Sequence, residues 1–173
     1  MENVNIIVGR FQPFTNGHLK CITDVYNKYG IRSIILIIDS NINKKHPFNK
    51  SILIEMLNNI KYNYNNYCAD YIFVKNADIV INSNIIREFG YEPYSWVCGS
   101  DRYLPYLNMV NKYAINANLS PKFKLLCVNR VDSDISATRV REALKSGNYE
   151  EVNISIPKCL HYMLQNFKDN IVA

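Results

Sequence analysis

The 173-residue sequence predicts an α/β fold in which a central, mainly parallel five-stranded sheet lies between two layers of helices. The apolar run Val4–Val8 leads into a glycine-containing loop and then into apolar residues at helical spacing. The segment Ile31–Ile38 is apolar almost throughout, as in a parallel strand that is covered on both faces. Strand, helix and strand in this order form a right-handed crossover unit. Together these observations indicate a Rossmann-like three-layer sandwich.

The remaining elements are predicted from their apolar patterns in chain order. The first helix is expected to end at Gly30, and the apolar stripe of a second helix covers Phe48–Ile60. The segment Asn58–Tyr67 is rich in Asn and Tyr, which indicates a loop. Trp96 lies within a predicted strand, which favours core packing over stacking on a bound base. Further strands are predicted at Tyr71–Val74, Ser95–Gly99 and Phe123–Val128, and further helices at Asn82–Phe89, Leu104–Tyr113 and Ser136–Leu144.

The chain is predicted to form a single domain over residues 1–173, because no internal repeat or low-complexity linker divides it. Its last part, at about residues 153–173, is predicted to be a helical extension. Pro157 begins this extension, and its apolar residues recur at helical spacing at Leu160, Met163, Leu164 and Phe167. We expect this amphipathic helix to cover the sheet.

The formal net charge of +5 favours anionic partners without distinguishing a nucleotide from a nucleic acid. The absence of a Lys/Arg block argues against a dedicated nucleic-acid surface, which needs many phosphate contacts. The sequence has no basic amino-terminal segment followed by an apolar stretch, and no apolar run of membrane-spanning length. We therefore expect a soluble, cytoplasmic protein without a membrane partner.

The five cysteines are widely spaced and odd in number, so they indicate neither a disulfide framework nor a Cys-x-x-Cys metal site. They are expected to be small buried apolar residues. The three histidines do not cluster in the sequence. The sequence therefore predicts no structural zinc site.

Gly9 and Gly17 flank a loop that is suited to bind an anion. Both glycines let the backbone approach a bound group, and Gly17 lies where the first free amides of the helix point outward. These amides carry partial positive charge and attract phosphate. Side-chain donors are placed around them at Arg10, Thr15, His18 and Lys20.

Polar residues also follow other strands at the same edge of the sheet, where ligands of parallel sheets bind. Asp39 ends the second strand, and Arg130 follows the fifth. Lys50, near the start of the second helix, is either a phosphate contact or a solvated charge. Ser100 and Asp101 are candidate caps of the helix that follows the fourth strand.

A second candidate anion site lies at the start of the helix that contains Arg139 and Arg141. Ser136 is suited to cap this helix and Gly147 to end it. Its inward-facing residues are predicted to be Val140, Ala143 and Leu144. Two arginines in the first turns oppose the helix dipole unless an anion is bound between them.

The ten residues Gly9–His18 resemble the first signature of the nucleotidyltransferase superfamily. That signature is His-x-Gly-His or Thr-x-Gly-His after a strand, and Thr15–His18 matches its second form. The preceding residues Gly9–Phe14 are similar to the nicotinamide mononucleotide adenylyltransferase branch, where the first motif residue is commonly His. Thr at this position is also similar to phosphopantetheine adenylyltransferases.

Three further stretches carry the same resemblance, which covers about residues 3–152. Ile135–Arg141 resembles the second superfamily signature, Ile-Ser-x-Thr-x-x-Arg. Gly99–Arg102 resembles the loop on the nucleotide side of the site. His46–Lys50 is similar to the Asn-Pro-Phe-Thr stretch of the adenylyltransferase branch, with Asn49 in place of the Thr.

The resemblance implies attack by a phosphate monoester oxygen on the α-phosphate of ATP, with pyrophosphate leaving and Mg²⁺ bridging the triphosphate. The implied acceptor is nicotinamide mononucleotide, with nicotinic acid mononucleotide left open, and the product is then NAD. The implied catalytic residues are Arg10, Thr15, His18 and Arg141. The implied ligand-binding residues are Gly9, Phe11, Gln12, Phe14, Gly17, Asp39, Lys50, Gly99, Asp101, Arg102, Arg130, Ser136, Ala137 and Thr138. No side chain is implied as a metal ligand.

The sequence leaves several alternatives open. The reaction could be that of a phosphopantetheine adenylyltransferase or a cytidylyltransferase. Outside catalysis, the same fold could serve as a nucleotide-binding or nucleic-acid-binding module. The oligomeric state is also open, a homo-oligomer included.

Overall fold

The computed structural model describes residues 1–128 and 137–166. Its strands are β1 (Glu2–Gly9), β2 (Ser33–Ile38), β3 (Cys68–Val74), β4 (Tyr91–Gly99) and β5 (Lys124–Val128). Its α-helices are α1 (Asn16–Tyr29), α2 (Lys50–Asn63), α3 (Ile79–Glu88), α4 (Tyr103–Tyr113), α5 (Ala137–Ser146), α6 (Tyr149–Ser155) and α7 (His161–Asn166). Two short 3₁₀ turns lie at Ser100–Arg102 and Lys158–Leu160. Within these residues, no helix is both long and apolar enough to cross a membrane.

The five strands form one sheet in the order β3-β2-β1-β4-β5, and every neighbouring pair is parallel. The predicted α/β sandwich is confirmed, and the sheet is wholly parallel. The strand order reverses at β1, which lies between β2 and β4. Ligands of open parallel sheets bind at such a reversal, beyond the carboxyl ends of the strands.

Each face of the sheet carries its own apolar core. On one face α1, α2, α5, α6 and α7 bury residues that include Ile22, Ile60, Leu144, Val152 and Leu164. On the other face α3 and α4 pack over Trp96 and its neighbours. Trp96 is fully buried, so the prediction of core packing is confirmed. Helices on both faces explain why the central strands are apolar without alternation.

Helix boundaries follow local chemistry where the sequence provides a cap. Gly30 ends α1 with φ of 68°, a conformation that costs glycine little. Asn49 and Asp78 cap α2 and α3, because their side-chain oxygens accept the backbone N–H of Ile52 and Ile81. Asn49 thereby fixes the first turn of α2 next to the carboxyl end of β2.

Two local predictions are wrong. The predicted loop at Asn58–Tyr67 begins as helix, since α2 continues to Asn63 and buries Ile60 in the core. Packing therefore overrides the Asn-rich composition. Ser100 and Asp101 do not cap α4: they form a 3₁₀ turn, and no side chain caps the helix at its N-cap position.

The carboxyl-terminal extension is divided into short elements. It consists of α6, the turn Lys158–Leu160 and α7, and these pack on the same face as α2. Leu160, Met163 and Leu164 are buried, as the amphipathic pattern predicts. Phe167 lies outside the described residues.

The cysteines differ in exposure more than the sequence predicts. Cys68 and Cys98 are buried, and burial raises the pKa of the Cys68 thiol to about 12. Cys21 and Cys159 are partly exposed. Cys127 is exposed because it lies on the edge strand β5, so the expectation of burial is wrong for this residue.

A row of buried polar side chains crosses the sheet far from the carboxyl ends of its strands. Asn5 of β1 lies opposite Ser33 of β2 and Ser95 of β4, and all three are fully buried. Ser95 Oγ donates to Asn5 Oδ1 at 2.6 Å, and Asn5 Nδ2 donates to the carbonyl of Ile31 at 2.8 Å. The amide of Asn5 is therefore satisfied only in this alignment of the strands.

Candidate active site

The candidate site lies at the carboxyl ends of β1 and β2. A cavity of about 370 Å³ is lined there by Arg10, Asp39, Ser40 and Asn41. Arg10 comes from the loop between β1 and α1, and the other three come from the loop between β2 and α2. The structure thus brings together two strand ends that the sequence predicts to share a ligand.

Two phenylalanines of the β1–α1 loop form a buried base under the site. Phe11 has φ of 51°, and its ring lies so close to Gly9 that a Cβ there would be 3.2 Å from Cζ. Any larger residue at position 9 would therefore require the Phe11 ring to shift. The rings of Phe11 and Phe14 have centroids 5.7 Å apart, and both contact the ring of His18. Both phenylalanine rings are buried and pack against the imidazole of His18, a role that the sequence does not show.

His18 is held in the first turn of α1 by the residue that precedes the helix. The backbone N–H of Thr15 donates to His18 Nδ1 at 2.9 Å, and the Thr15 hydroxyl lies 3.2 Å from the same atom. Because Nδ1 accepts, the neutral ring carries its proton on Nε2 and can donate from that atom. Thr15 is only 2% exposed. Because it is buried in place, its two contacts with Nδ1 orient the imidazole ring of His18.

The first turn of α1 is suited to bind an anion, and Lys20 lies next to it. This turn begins at Asn16 and contains no acidic side chain, so its outward amides are not opposed by a negative charge. Lys20 forms an ion pair with Asp24 one turn further along the helix. An exposed pair of this kind adds little stability, so the role of Lys20 as a donor at the loop stays a prediction.

Gln12 connects three segments of the chain. Its side-chain Nε2 donates to the carbonyl of Phe48 at 3.2 Å, and its Oε1 accepts the N–H of Phe48 at 2.9 Å. Its backbone carbonyl accepts from Arg141 Nη1 at 2.7 Å. Gln12 is 4% exposed. This buried residue therefore joins the β1–α1 loop to the start of α2 and to α5.

Arg141 reaches the site from α5. Besides Gln12, its guanidinium contacts the hydroxyl of Thr138 through Nη2 at 3.2 Å. Burial lowers the pKa of the Arg141 guanidinium, an effect that Glu142 partly offsets, but an arginine remains charged at pH 7. Arg139 instead bonds Glu151 at 2.8 Å. Of the two predicted arginines, Arg141 is thus the one directed at the β1–α1 loop.

Lys50 and Asp39 form the rim of the site beside β3. Lys50 Nζ lies 4.0 Å from Asp39 Oδ2 and 4.7 Å from the centre of the Phe73 ring. Both charged side chains are more than half exposed. An ion pair this exposed adds little stability, so both groups remain available to a ligand.

The other predicted ligand residues lie at the end of β4, at the start of α5 or outside the described residues. Gly99 is buried at the end of β4, next to β1, and Asp101 and Arg102 are exposed in the following turn. No hydrogen bond within the described residues joins Asp101 or Arg102 to the other candidates. Ala137 begins α5. Arg130 and Ser136 lie outside the described residues.

His46 lies two residues before Phe48, which Gln12 anchors at the site, and the sequence predicts no separate role for it. It is half-buried, and its Nδ1 is buried without a hydrogen bond among the described residues. Burial lowers the pKa of His46, and the charges of Arg10, Arg141 and Lys45 lower it further. The signal was its position directly before Pro47-Phe48, where the similar Asn-Pro-Phe-Thr stretch has Asn.

Comparison with known proteins places this geometry in a family. The model of the cytidylyltransferase-like family matches residues 6–143, which include the second half of β1, the other four strands and most of the candidate site. The chain belongs to the cytidylyltransferase-like family. This finding confirms the resemblance to the nucleotidyltransferase superfamily. No curated protein sequence is significantly similar to the chain.

Solved structures share the fold of this cytidylyltransferase-like protein at low sequence identity. A Vibrio parahaemolyticus protein described as a nicotinate-nucleotide adenylyltransferase has a TM-score of 0.67 at 12% identity, with 98% of this chain and 96% of that chain covered. Plasmodium falciparum nicotinic acid mononucleotide adenylyltransferase, complexed with APC, has a TM-score of 0.64 at 14% identity, with 98% of each chain covered. Thermotoga maritima TmcAL, bound with alpha-thio ATP, has a TM-score of 0.62 at 14% identity. The present chain spans 56% of the length of TmcAL.

Replacing Gln12 by leucine is expected to destabilise this cytidylyltransferase-like fold by about 1–2 kcal/mol, because the buried N–H and C=O of Phe48 lose their partners. Urea unfolding measures the change in the free energy of unfolding. Gln165→Leu, on the exposed side of α7, is the matched control and is expected to stay within about 0.5 kcal/mol of wild type. Equal stability of the two variants would contradict the structural role of Gln12.

Proposed function

We propose that this protein is an adenylyltransferase that joins the AMP part of ATP to nicotinamide mononucleotide, with nicotinic acid mononucleotide as a second acceptor. The observation that carries the proposal is the arrangement around the start of α1. His18 is fixed there with Nε2 as a donor, and Arg10 and Arg141 supply positive charge from two other segments. Donors from a helix start together with arginines suit a bound polyphosphate.

The proposed reaction is a direct displacement on the α-phosphate of ATP. An oxygen of the acceptor phosphate attacks the α-phosphorus, and the bond from this phosphorus to the bridging oxygen of the β-phosphate breaks, so pyrophosphate leaves. His18 donates from Nε2 to oxygens of the α-phosphate, where charge develops. Arg10 and Arg141 bind the outer phosphates, and alignment of the two substrates contributes about 7–11 kcal/mol to lowering the barrier.

Mg²⁺ is proposed to enter with ATP as part of the substrate. Mg²⁺ in such sites is bound mostly by substrate phosphates and water, with one or two carboxylates at most. Asp39 is a carboxylate of that kind, because it lines the same cavity as Arg10. Arg10 and Arg141 neutralise charge on the triphosphate from the protein side, in addition to what a bound Mg²⁺ would supply.

Two observations support the proposed acceptor. The residues Gly9–Phe14 are similar to the nicotinamide mononucleotide branch. Within this stretch, the rings of Phe11 and Phe14 pack against His18, and the carbonyl of Gln12 accepts a hydrogen bond from Arg141. Two of the structural relatives are described as adenylyltransferases that act on the nicotinic acid form. The pyridine mononucleotides are therefore the first acceptors to test.

The function is tested by pyrophosphate release with ATP, Mg²⁺ and each mononucleotide, followed by mass identification of the dinucleotide product. CTP and phosphopantetheine serve as alternative partners in the same assay. We expect release and NAD formation with ATP and nicotinamide mononucleotide. Pyrophosphate release only from another pair of substrates would support the proposed nucleotidyl transfer but would show that the proposed acceptor or nucleotide is wrong. Absence of release from every pair, together with nucleic-acid binding that weakens steeply with salt, would favour a binding module.

A further inference from the structure

His46 is presented to the candidate site by a tight turn in the β2–α2 loop. The backbone N–H groups of Lys45 and His46 both donate to Asn43 Oδ1, at 2.9 and 3.0 Å. The backbones of Asn43 and His46 also exchange two hydrogen bonds of 3.1 Å. This turn fixes the backbone of His46, and Pro47 and Phe48 then continue into the core. His46 is therefore held in place while its Nδ1 lacks a partner among the described residues.

Three cations act on this imidazole from three segments. Arg10 belongs to the β1–α1 loop, Arg141 to α5 and Lys45 to the turn itself. Gln12 bonds both Phe48, two residues after His46, and Arg141, and it follows Arg10 by two residues, so these basic residues meet the His46 turn at one junction. A second positive charge at His46 is unfavourable unless an anion lies among these groups.

We propose that a polyphosphate bound between Arg10 and Arg141 brings a proton onto His46, and that the resulting imidazolium becomes a further charged ligand of this polyphosphate. The inference rests on the proposed function only in taking the two arginines as a phosphate site. It assigns to His46 a binding role that depends on the ligand, in contrast to His18, whose Nδ1 is already occupied.

The proposal gives a definite sign for the effect of pH. Without ligand, burial and the three cations keep the pKa of His46 below its usual value, so the ring is neutral at pH 7. A bound polyphosphate cancels the field of the arginines and raises the pKa of His46. The contribution of His46 to polyphosphate affinity therefore increases as pH falls through the interval between these two pKa values, and it does not change with pH above or below that interval.

Nuclear magnetic resonance tests the proton uptake directly, since the chain has only three histidines. The imidazole signals are titrated between pH 5 and 8.5 with and without inorganic pyrophosphate, and His46→Asn and His161→Asn assign them. We expect the His46 midpoint to rise by about one pH unit with pyrophosphate, as for an opposite charge placed nearby. His161 is the control: it lies on α7, with its Nε2 3.2 Å from the carbonyl of Ile156, and pyrophosphate should not move its signals. An unchanged His46 midpoint in the presence of bound pyrophosphate would overturn the proposal.

Calorimetry tests the consequence for binding. In His46→Asn, any change of pyrophosphate affinity with pH comes from groups other than His46. Wild type and His161→Asn are expected to gain an additional factor of about 3 to 10 in affinity at pH 6, since one unit of pKa corresponds to a factor of ten. The same pH dependence in His46→Asn and wild type would overturn the proposal, as would failure of wild type to bind pyrophosphate. Neither measurement requires turnover. If no substrate pair releases pyrophosphate but the His46 midpoint still moves, the proposed reaction fails and the inference about His46 stands.

Discussion

Replacing His18 by alanine is expected to lower the kcat of pyrophosphate release by about 10²- to 10³-fold, as when one donor to a developing anion is removed. The expectation follows from the tautomer of the ring. Thr15 N–H occupies Nδ1, so only Nε2 can donate to the α-phosphate. Alanine leaves the amides of α1 in place, and substrate binding should therefore change less than turnover. Steady-state kinetics at saturating ATP and acceptor measures the effect.

His161→Ala is the matched control, because His161 lies on α7 and is not among the candidate site residues. It is expected to keep the kcat of wild type. Thermal unfolding checks that both variants fold, and loss of the Thr15 contact should cost His18→Ala about 1 kcal/mol. A folded His18→Ala protein with near-normal kcat would remove His18 from the catalytic role.

Replacing Arg141 by glutamine is expected to lower kcat/KM for ATP by about 10²-fold. The guanidinium is half-buried and binds the carbonyl of Gln12, so it is already oriented when the nucleotide arrives. Hydrogen bonds to a charged group contribute about 1.5–3 kcal/mol, which corresponds to a factor of roughly 10 to 150. The measurement is the dependence of the initial rate on ATP concentration at fixed acceptor.

Arg139→Gln tests whether this loss is specific to Arg141. The two residues lie on the same helix, but Arg139 bonds Glu151 at the surface. Its replacement is expected to change kcat/KM less than threefold, because its described bond is to Glu151 and not to the β1–α1 loop, and losing an exposed ion pair costs the fold about 1 kcal/mol or less. Equal losses in the two variants would indicate a general effect of positive charge and would contradict a specific role for Arg141.

The sequence was sufficient for the strands and for the first signature. Nearly continuous apolar runs such as Ile31–Ile38 are typical of central parallel strands, and the structure has β2 there. The spacing from Gly9 to His18 placed a strand, a loop and a helix start in the correct order. These features depend on neighbouring residues, which is why a single sequence shows them.

Other features depend on contacts between distant residues and could not be predicted. The amide of Gln12 bonds the backbone of a residue 36 positions away, and no local pattern indicates that pairing. The end of α2 is decided by burial of Ile60, which outweighs a composition typical of loops. The environment of His46 arises from three separate segments. The proposed roles of Arg10 and Arg141 toward phosphate stay predictions until binding is measured.

The buried amide of Asn5 affects the candidate site indirectly, through the register of the strands that lead to it. A slip of two residues between β1 and β4 would place Asn5 against Val97 or Pro93, and its buried Oδ1 would lose the hydroxyl of Ser95, at a cost of about 1–3 kcal/mol. The bond to Ser95 therefore selects one alignment of two strands whose paired residues are 90 positions apart. Gly9 lies four residues beyond Asn5, about 13 Å along the strand. By fixing the register of β1 and β4, Asn5 thus determines how the loop after Gly9 and the loop after Gly99 are positioned relative to each other at the edge of the sheet.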